Sequence, residues 1–567
     1  MKKTIRILFF LILLCCTSCN RKATVSFSAN EEKSLVALGQ LWGFLKYHHP
    51  AVANGDDDWD AELIKLIPQI LEAKNDSAWK TMLDNWVDSL PPVPENSNKK
   101  LPDLEVKVKP DYGELFNAEY FFSETIDKIK YILDNAVVST NHYVSVTERR
   151  DASSLLFTNE DTYEDMLYPE LPYRLLALFR FWNCVNYFFP YRELCDQKWA
   201  DVLTEMLPEF IHAKNQNEYI FACLKLVTKI DDSHGFINPN LNLGLLGVPF
   251  IAQFIEGKLV VTMFTGDDTY VKEKIKVGDV ITAIDGEPVE DIVKRMLPYT
   301  PASNYAVKLR KISNIILTGN ATNVTIAIQR DGKSFQIKIP RYDRSLLKDY
   351  YSPHPGKEAY RVLGNNIGYV LPSYCTAEDL EKGIKKVLDG TKGVIIDMRC
   401  HINYPFTAQM FSSHFNSDST QYDKGGFSNV SYPGYIFLSK ERYYAPDKWF
   451  YQYDMMQKNK YTQKVVVIVN EYTQSQGETH VMIYQTAPNA VVIGSTTAGA
   501  DGSVTNFKLP GNIRVSMTGA GVYYPDGGNI QRVGVRIDEI VKPTIEGIKA
   551  GRDELLERAI EIINESK

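Results

Sequence analysis

The sequence predicts a multidomain α/β protein with N-terminal duplicated helical units, a β-rich module and a C-terminal α/β domain, on three observations. The chain has 567 residues, several times the ~150 of a typical domain. A helical pattern near the N-terminus recurs further along the chain, with Trp42 and Trp59 returning as Trp182 and Trp199. Beyond residue 360, apolar strands alternate with helices, as in a parallel sheet covered on both faces. Apolar residues make up 44% and charged residues 23%, which excludes a disordered, collagen-like or polytopic membrane chain. With 63 basic against 70 acidic residues the net charge is −7. No basic run interleaved with aromatics suggests a nucleic-acid partner.

The first element is an address. Lys2, Lys3 and Arg6 precede an apolar stretch over 7–16, too short to span a bilayer but right for the core of a bacterial secretory signal. It ends Cys16-Thr17-Ser18-Cys19, which resembles a lipoprotein signal-peptidase site with Cys19 as the acylated residue. A plain signal peptide cut nearby is the alternative. No later stretch approaches 18 unbroken apolar residues, so 1–19 is expected to be a signal peptide. The rest is expected to be an exported lipoprotein of the cell envelope, held to the membrane by lipid alone. Apart from those three early cysteines (at 15, 16 and 19), five remain, an odd, sparse set that is not a disulfide framework. Cys184 and Cys195 could pair or stay as buried thiols. No C-x-x-C or H-E-x-x-H occurs, so neither metal nor cofactor is expected.

The helical units come next. Sliding the chain against itself with one fixed offset and no gap aligns Trp42 with Trp182, Tyr47 with Tyr187, Pro50 with Pro190, Trp59 with Trp199, Pro68 with Pro208 and the Ala-Lys-Asn of 73–75 with that of 213–215. Each copy reads as an amphipathic helix ending near the proline, a second helix opened by tryptophan and a third after the Ala-Lys-Asn turn. The shared aromatics are expected in the core. The copies, placed at 30–95 and 166–240, are joined by a connector over 96–165. They part at their ends: the first runs into Leu90-Pro91-Pro92-Val93-Pro94, the second into Asp231-Asp232-Ser233-His234. One copy alone has gained a histidine, which needs a partner elsewhere to act.

From 244 to 341 the pattern changes to short alternating strands, at 259–263, 280–284, 324–329 and 335–339. The run from Ile275 through Gly278-Asp279 and Asp285-Gly286 to Val289 resembles a PDZ domain. Upstream, Gly247, Val248, Pro249 and Phe250 resemble the PDZ loop whose backbone N–H groups capture a peptide's terminal carboxylate. Pro249 lacks one such donor. An inert spacer is the other reading of the module.

The last domain spans 342–567. Strands are expected at 367–370, 393–397, 465–469 and 490–493, with helices opening after a Thr376–Asp379 capping box, over 408–414 and over 476–485. In such sheets chemistry gathers at the C-terminal strand ends. There Asn470-Glu471-Tyr472-Thr473-Gln474-Ser475 leads from strand to helix. Ser475 at a helix N-terminus suits a nucleophile, because free N–H groups and the helix dipole can stabilise an oxyanion. It also suits a simple helix cap.

The order of helical segment, D-D-S-H, PDZ-like module, I-I-D-x-R strand, N-x-x-x-x-S-x-x-E turn, Gly494-Ser495-Thr496-Thr497-Ala498-Gly499 and Gly534-Val535-Arg536-Ile537-Asp538 resembles serine peptidase family forty-one. That family holds the C-terminal processing (tail-specific) proteases and the tricorn core protease. The resemblance covers roughly 225–567 and implies a ClpP/crotonase-like protease fold. By matching motif it makes Ser475 the nucleophile, supported by Glu478, and His234 the base of the tricorn-like branch, with Ser233 beside it. It makes the Gln476 backbone N–H one oxyanion donor and assigns the second to the loop after Asp397-Met398-Arg399. The chain departs from the pattern in three places. Ala500 stands where the processing proteases carry a lysine base. Gln531 stands nearest the glutamate that orients the base in the tricorn branch. Cys400-His401-Ile402-Asn403-Tyr404 replaces the glycine-rich oxyanion loop.

Other bases are weighed by geometry. His480 lies about 140° around the helix from Ser475 and cannot face it. His401 ends the neighbouring strand and is the second choice. His48 and His49 are expected to pack, and Asp56, Asp57 and Asp58 to cap a helix rather than bind metal. Two functions follow. One is an envelope serine endopeptidase cleaving polypeptides or protein tails through an acyl-enzyme on Ser475. The alternative is a peptide-binding pseudo-protease lipoprotein that kept the scaffold. Nothing in the sequence fixes an oligomeric state.

Overall fold

The computed structural model describes residues 28–148, 153–239, 244–266, 268–347, 358–415, 420–439, 442–444 and 461–566; the signal peptide and Cys19 lie outside them. Among the described residues no helix is long and apolar enough to cross a membrane, and the five cysteines there are free.

Helices Ala29–His48, Trp59–Leu71 and Asp76–Asp88 are matched, in the second copy, by Leu171–Phe188, Trp199–His212 and Gln216–Thr228. In the first set the Trp42 indole donates to the Trp59 carbonyl at 3.1 Å and Trp59 returns the bond at 3.0 Å. In the second, Trp182 and Trp199 exchange the same bonds at 2.8 and 2.9 Å. Asn75 and Asn215 cap the third helix of each set, accepting from Ala78 and Glu218 N–H at 3.0 Å and so satisfying a backbone donor that the helix itself cannot. The two long helices pack closely: a Cβ on Gly43 would lie 1.9 Å from the Asn183 side chain. Arg180, fully buried, pairs with Asp60 and, at 2.8 Å, with Glu160, which also takes Lys46 at 2.7 Å. Asp58 caps Trp59–Leu71 at 3.0 Å. His48 stacks on Phe44 and His49 bonds the Pro91 carbonyl at 3.1 Å, so both histidines are packing groups.

The connector is folded rather than a plain link. Its helix Ser123–Asn135 packs on the first helical set, and its strand Val106–Val108 pairs with Ile436–Leu438 of the C-terminal domain. Its hairpin, Val144–Glu148 with Ser153–Phe157, reaches Thr505, whose hydroxyl donates to Leu155 O at 2.7 Å.

The central module is a sheet ordered Lys333–Pro340, Asn323–Arg330, Val280–Ile284, Lys258–Phe264, Phe250–Ile255, with Glu287–Pro288 beside the middle strand. Helices Val289–Met296 and Tyr305–Ser313 cover its apolar face. Val248 and Phe250 point into that core, and Gly247 pairs with Tyr342.

The C-terminal sheet runs Tyr360–Leu363, Ile367–Val370, Gly393–Asp397, Lys464–Val469, Ala490–Gly494, Glu539–Ile540. The first pair is antiparallel and the rest parallel. Alternate side chains feed two cores. Val394, Ile396, Val465 and Val467 face helices Leu380–Leu388, Thr407–Phe415 and Gln476–Gln485; Ile395, Val466 and Ile468 face Glu554–Glu565. The Thr376–Asp379 box forms reciprocally, at 2.9 and 3.3 Å, but within a turn, and the helix opens only at Leu380.

A third sheet joins the halves. Phe236–Asn238, just after the D-D-S-H loop, pairs with Ile513–Thr518, which pairs with Val504–Leu509. Its Ile237, Val515 and Met517 sink into the same core as the helical sets.

Candidate active site

Ser475 sits where the sheet delivers it. The strand Lys464–Val469 ends in a turn braced by its own polar groups: Asn470 Oδ1 accepts from Tyr472 N–H at 2.9 Å, and Thr473 Oγ1 donates to Met398 O at 2.7 Å. These bonds tie the turn to the neighbouring strand end. Ser475 then takes φ 56°, ψ −127°, a conformation that costs a non-glycine residue about 1–3 kcal/mol and persists only when its surroundings enforce it. They do: its N–H donates to Ala500 O at 2.9 Å, and its carbonyl accepts from Glu478 N–H at 2.7 Å. The next N–H, that of Gln476, has no acceptor among the described residues and lies at the helix N-terminus, the geometry of an oxyanion donor.

Glu478 is the keystone of this turn rather than a reacting group. Fully buried, its carboxylate accepts from Thr497 Oγ1 at 2.5 Å, Gly499 N–H at 2.7 Å, Ala500 N–H at 2.9 Å and Ser475 N–H at 3.3 Å. Burial, then Asp501, pushes its carboxyl up to about 8 against the pull of those donors. Ala500, at the lysine position, is wholly buried and lends only its backbone.

His234 arrives from the other side. On the register that pairs Phe236 with Ser516 and Ile237 with Val515, it comes opposite Thr518, and its Nδ1 lies 2.8 Å from Thr518 Oγ1. With the proton on Nδ1 donated to that hydroxyl, Nε2 keeps its lone pair. Burial lowers the imidazole's pKa, Asp232 opposes this and Lys311 adds to it, so the neutral base form prevails at neutral pH. Asp232, wholly buried, holds both partners through their backbones: Oδ1 accepts from His234 N–H at 3.0 Å and Oδ2 from Thr518 N–H at 2.7 Å.

Ser475 and His234 line one cleft of about 1010 Å³, together with Lys311, Tyr472, Gln476 and the 400–402 loop. Among the described residues no hydrogen bond joins the two side chains directly. Ser233, expected beside the base, turns away from the cleft: its hydroxyl donates to Ala498 O at 3.0 Å and accepts from Ser303 N–H at 2.9 Å. Gln531 also stays out of the cleft, behind the base, with Nε2 3.4 Å from Asp232 Oδ1. His401 is exposed on the rim. His480 is buried, bonded to Pro405 O at 2.9 Å and pushed down to about 4 by burial. Asp397 and Arg399 pair with each other at 2.7 Å and fix the start of the 400–402 loop. Thr518 lies outside the motifs, and Asp232, though within D-D-S-H, was given no role there. The signal for Thr518 was a pair of hydroxyls, Ser516 and Thr518, on one face of a strand whose other face, Ile513, Val515 and Met517, is apolar.

Residues 417–541 match the model described as Peptidase family S41, a stretch that holds Ser475, Glu478, Thr518 and Gln531 but not His234. No curated protein matches the sequence. Among solved structures, mature CPAF complexed with lactacystin is 14% identical with a TM-score of 0.53, over 69% of this chain and 98% of that one. A second structure of mature CPAF gives 14% and 0.52, over 70% and 98%. A photosystem II D1 C-terminal processing protease gives 15% and 0.36, over 66% and 96%. The likeness to CPAF is one of fold. The matched segment spans the Ser475 turn and the glycine loops that brace it, so over 417–541 the C-terminal α/β domain is similar to peptidase family S41.

Proposed function

We propose that the protein is a serine endopeptidase that cleaves polypeptides through an acyl-enzyme on Ser475, with His234 as general base. The observation that carries this reading is the convergence of two distant segments on one cleft: a strained serine at a helix N-terminus, and a neutral imidazole aligned by Thr518. The Ser475 Oγ–H bond breaks as Oγ attacks the scissile carbonyl, and the proton passes to His234 Nε2. The carbonyl oxygen, now an oxyanion, takes the Gln476 N–H and a second donor from the 400–402 loop. The imidazolium returns its proton to the leaving amine, and water then hydrolyses the ester by the same route. Bound substrate must close the gap between Oγ and Nε2, as catalytic contacts tighten in the Michaelis complex.

The central module supports a PDZ-like reading: Phe250–Ile255 is an edge strand with helix Tyr305–Ser313 packed beside it, the groove in which an added peptide strand is captured. Gly247, Val248 and Phe250 would offer backbone donors to a tail carboxylate at its end. Cys19 is proposed as a lipid anchor in the cell envelope; Cys19→Ala then moves the protein from the membrane to the soluble fraction, and continued membrane association would place the tether elsewhere.

A fluorophosphonate probe tests the chemistry. It is expected to label Ser475 in the wild type, and His234→Ala is expected to abolish labelling with the fold intact. Equal labelling of both would remove His234 as the base, silence in His401→Ala alone would transfer that role, and no labelling of wild type would leave a pseudo-protease.

A further inference from the structure

The cleft beside Ser475 has a charge pattern that the reaction itself does not require. Among the described residues no aspartate or glutamate lines it, while Arg310, Lys311 and Arg344 do, in a chain whose net charge is −7. Arg310 and Lys311 come from the helix Tyr305–Ser313 of the central module. Arg310 donates to Glu471 O and, at 2.7 Å, to Gln474 Oε1, with its guanidinium 5.4 Å from the Tyr472 ring centre. Lys311 Nζ donates to Pro301 O at 2.6 Å and Ser233 O at 3.1 Å. Among the described residues neither has a carboxylate within ion-pair distance, unlike the buried Lys46 and Arg180 and the partly buried Arg399, each paired with carboxylates. Arg174 and Arg192 are also held by carbonyls, but in the closed interior. At the cleft wall, donors remain: an ammonium has three and Lys311 uses two, and a guanidinium has five.

We infer that the Arg310–Lys311 pair is a specificity determinant that selects substrates presenting a carboxylate beside the scissile bond, so that the cleft prefers acidic polypeptide segments. The inference rests on the Ser475 cleft being the substrate site proposed above. A cation removed from water without a counter-charge is costly, and a substrate carboxylate would supply the charge-assisted bonds that the protein withholds. Lys311 is held down to about 7 by burial and by Arg310, against Asp232. Arg310, Asp232 and His234 are the charged and titratable groups that it senses. A carboxylate would favour its ammonium form, so selection should weaken as pH rises from 6 to 9.

The test uses the full-length Ser475→Ala variant, which binds without cleaving, and three fluorescent peptides of one sequence. The first carries glutamates and an amidated C-terminus, the second replaces each glutamate by glutamine, and the third keeps glutamine but has a free C-terminus. The glutamate peptide is expected to bind at least tenfold more tightly than the glutamine amide. Lys311→Met should reduce that ratio to within twofold and Lys311→Arg should keep it. Preference for the third peptide over the second would identify the terminus as a source of the carboxylate. Equal binding of all three, or a glutamate preference that is unchanged in Lys311→Met and flat from pH 6 to 9, would overturn the inference. Failure of the peptidase reading shows separately, as absent probe labelling of the wild type.

Discussion

In the proposed dyad, Thr518, 2.8 Å from His234 Nδ1, would take the place that an acid has in the familiar serine triads, but without charge. An uncharged partner fixes the tautomer and ring direction but stabilises the imidazolium less than a carboxylate would. The carboxylate nearby, Asp232, spends its oxygens on backbone N–H groups of both residues. Thr518→Val keeps the shape and removes the hydroxyl, so the labelling rate of Ser475 should fall roughly tenfold, the value of one hydrogen bond of about 1.4 kcal/mol. The pH profile gives the complementary readout. A base works above its pKa, and burial holds that of His234 below the ordinary value. Labelling should therefore persist below about pH 6.5 and be lost only as pH falls further. A half-point at or above 6.5, or a Thr518→Val variant as fast as wild type, would contradict this account of the base.

At the scale of elements, the sequence was most legible where one element carries its own signal. The apolar runs at 367–370, 393–397 and 465–469 fall in the strands Ile367–Val370, Gly393–Asp397 and Lys464–Val469. The turns around Ser475 and His234 drew attention to both, and the fold brings them to one cleft. What no local pattern encodes is pairing over long separations: the strand Val106–Val108 reads as part of a linker until Ile436–Leu438 completes it. Ser233 misled for the same reason, since its partner, Ser303, lies in another module. The edge strand Phe250–Ile255 carries a prediction of its own. Pro249 has no N–H, and its carbonyl is taken by Thr265 N–H at 3.0 Å, so a tail carboxylate there must rely on the remaining donors. Full-length Ser475→Ala should bind free-acid peptides with an apolar C-terminus roughly tenfold more tightly than their amides. If free-acid and amidated peptides bind alike, the edge strand does not capture a tail carboxylate.

Across the whole molecule, the proposed base and the proposed nucleophile belong to different cores. Ser475 is fixed by the α/β sheet, whereas the strand that follows His234 lies, through Ile237, Val515 and Met517, in the core shared with the helical sets. The second helical set grips the strands around Thr518 at several points: Arg180 donates to Lys508 O at 2.9 Å, Tyr219 to Pro510 O at 2.8 Å, and Tyr191 both donates to Val522 O at 3.2 Å and accepts from Val522 N–H at 2.6 Å. Tyr191→Phe leaves that buried N–H without its acceptor, at a cost of about 1–3 kcal/mol. The loss falls on the segment Gly521–Tyr523, just past Thr518, so the alignment of His234 should loosen before the molecule unfolds. The expected result is that Ser475 labelling in Tyr191→Phe fades at a lower temperature than the loss of helical circular dichroism. Trp79→Phe provides the contrast. It removes the indole bond to Asn30 in the first helical set, and labelling and helical signal should there be lost together. If the two variants behave alike, the helical sets stabilise the fold without holding the base in register, and Asp232 with the strand pairing alone must do so.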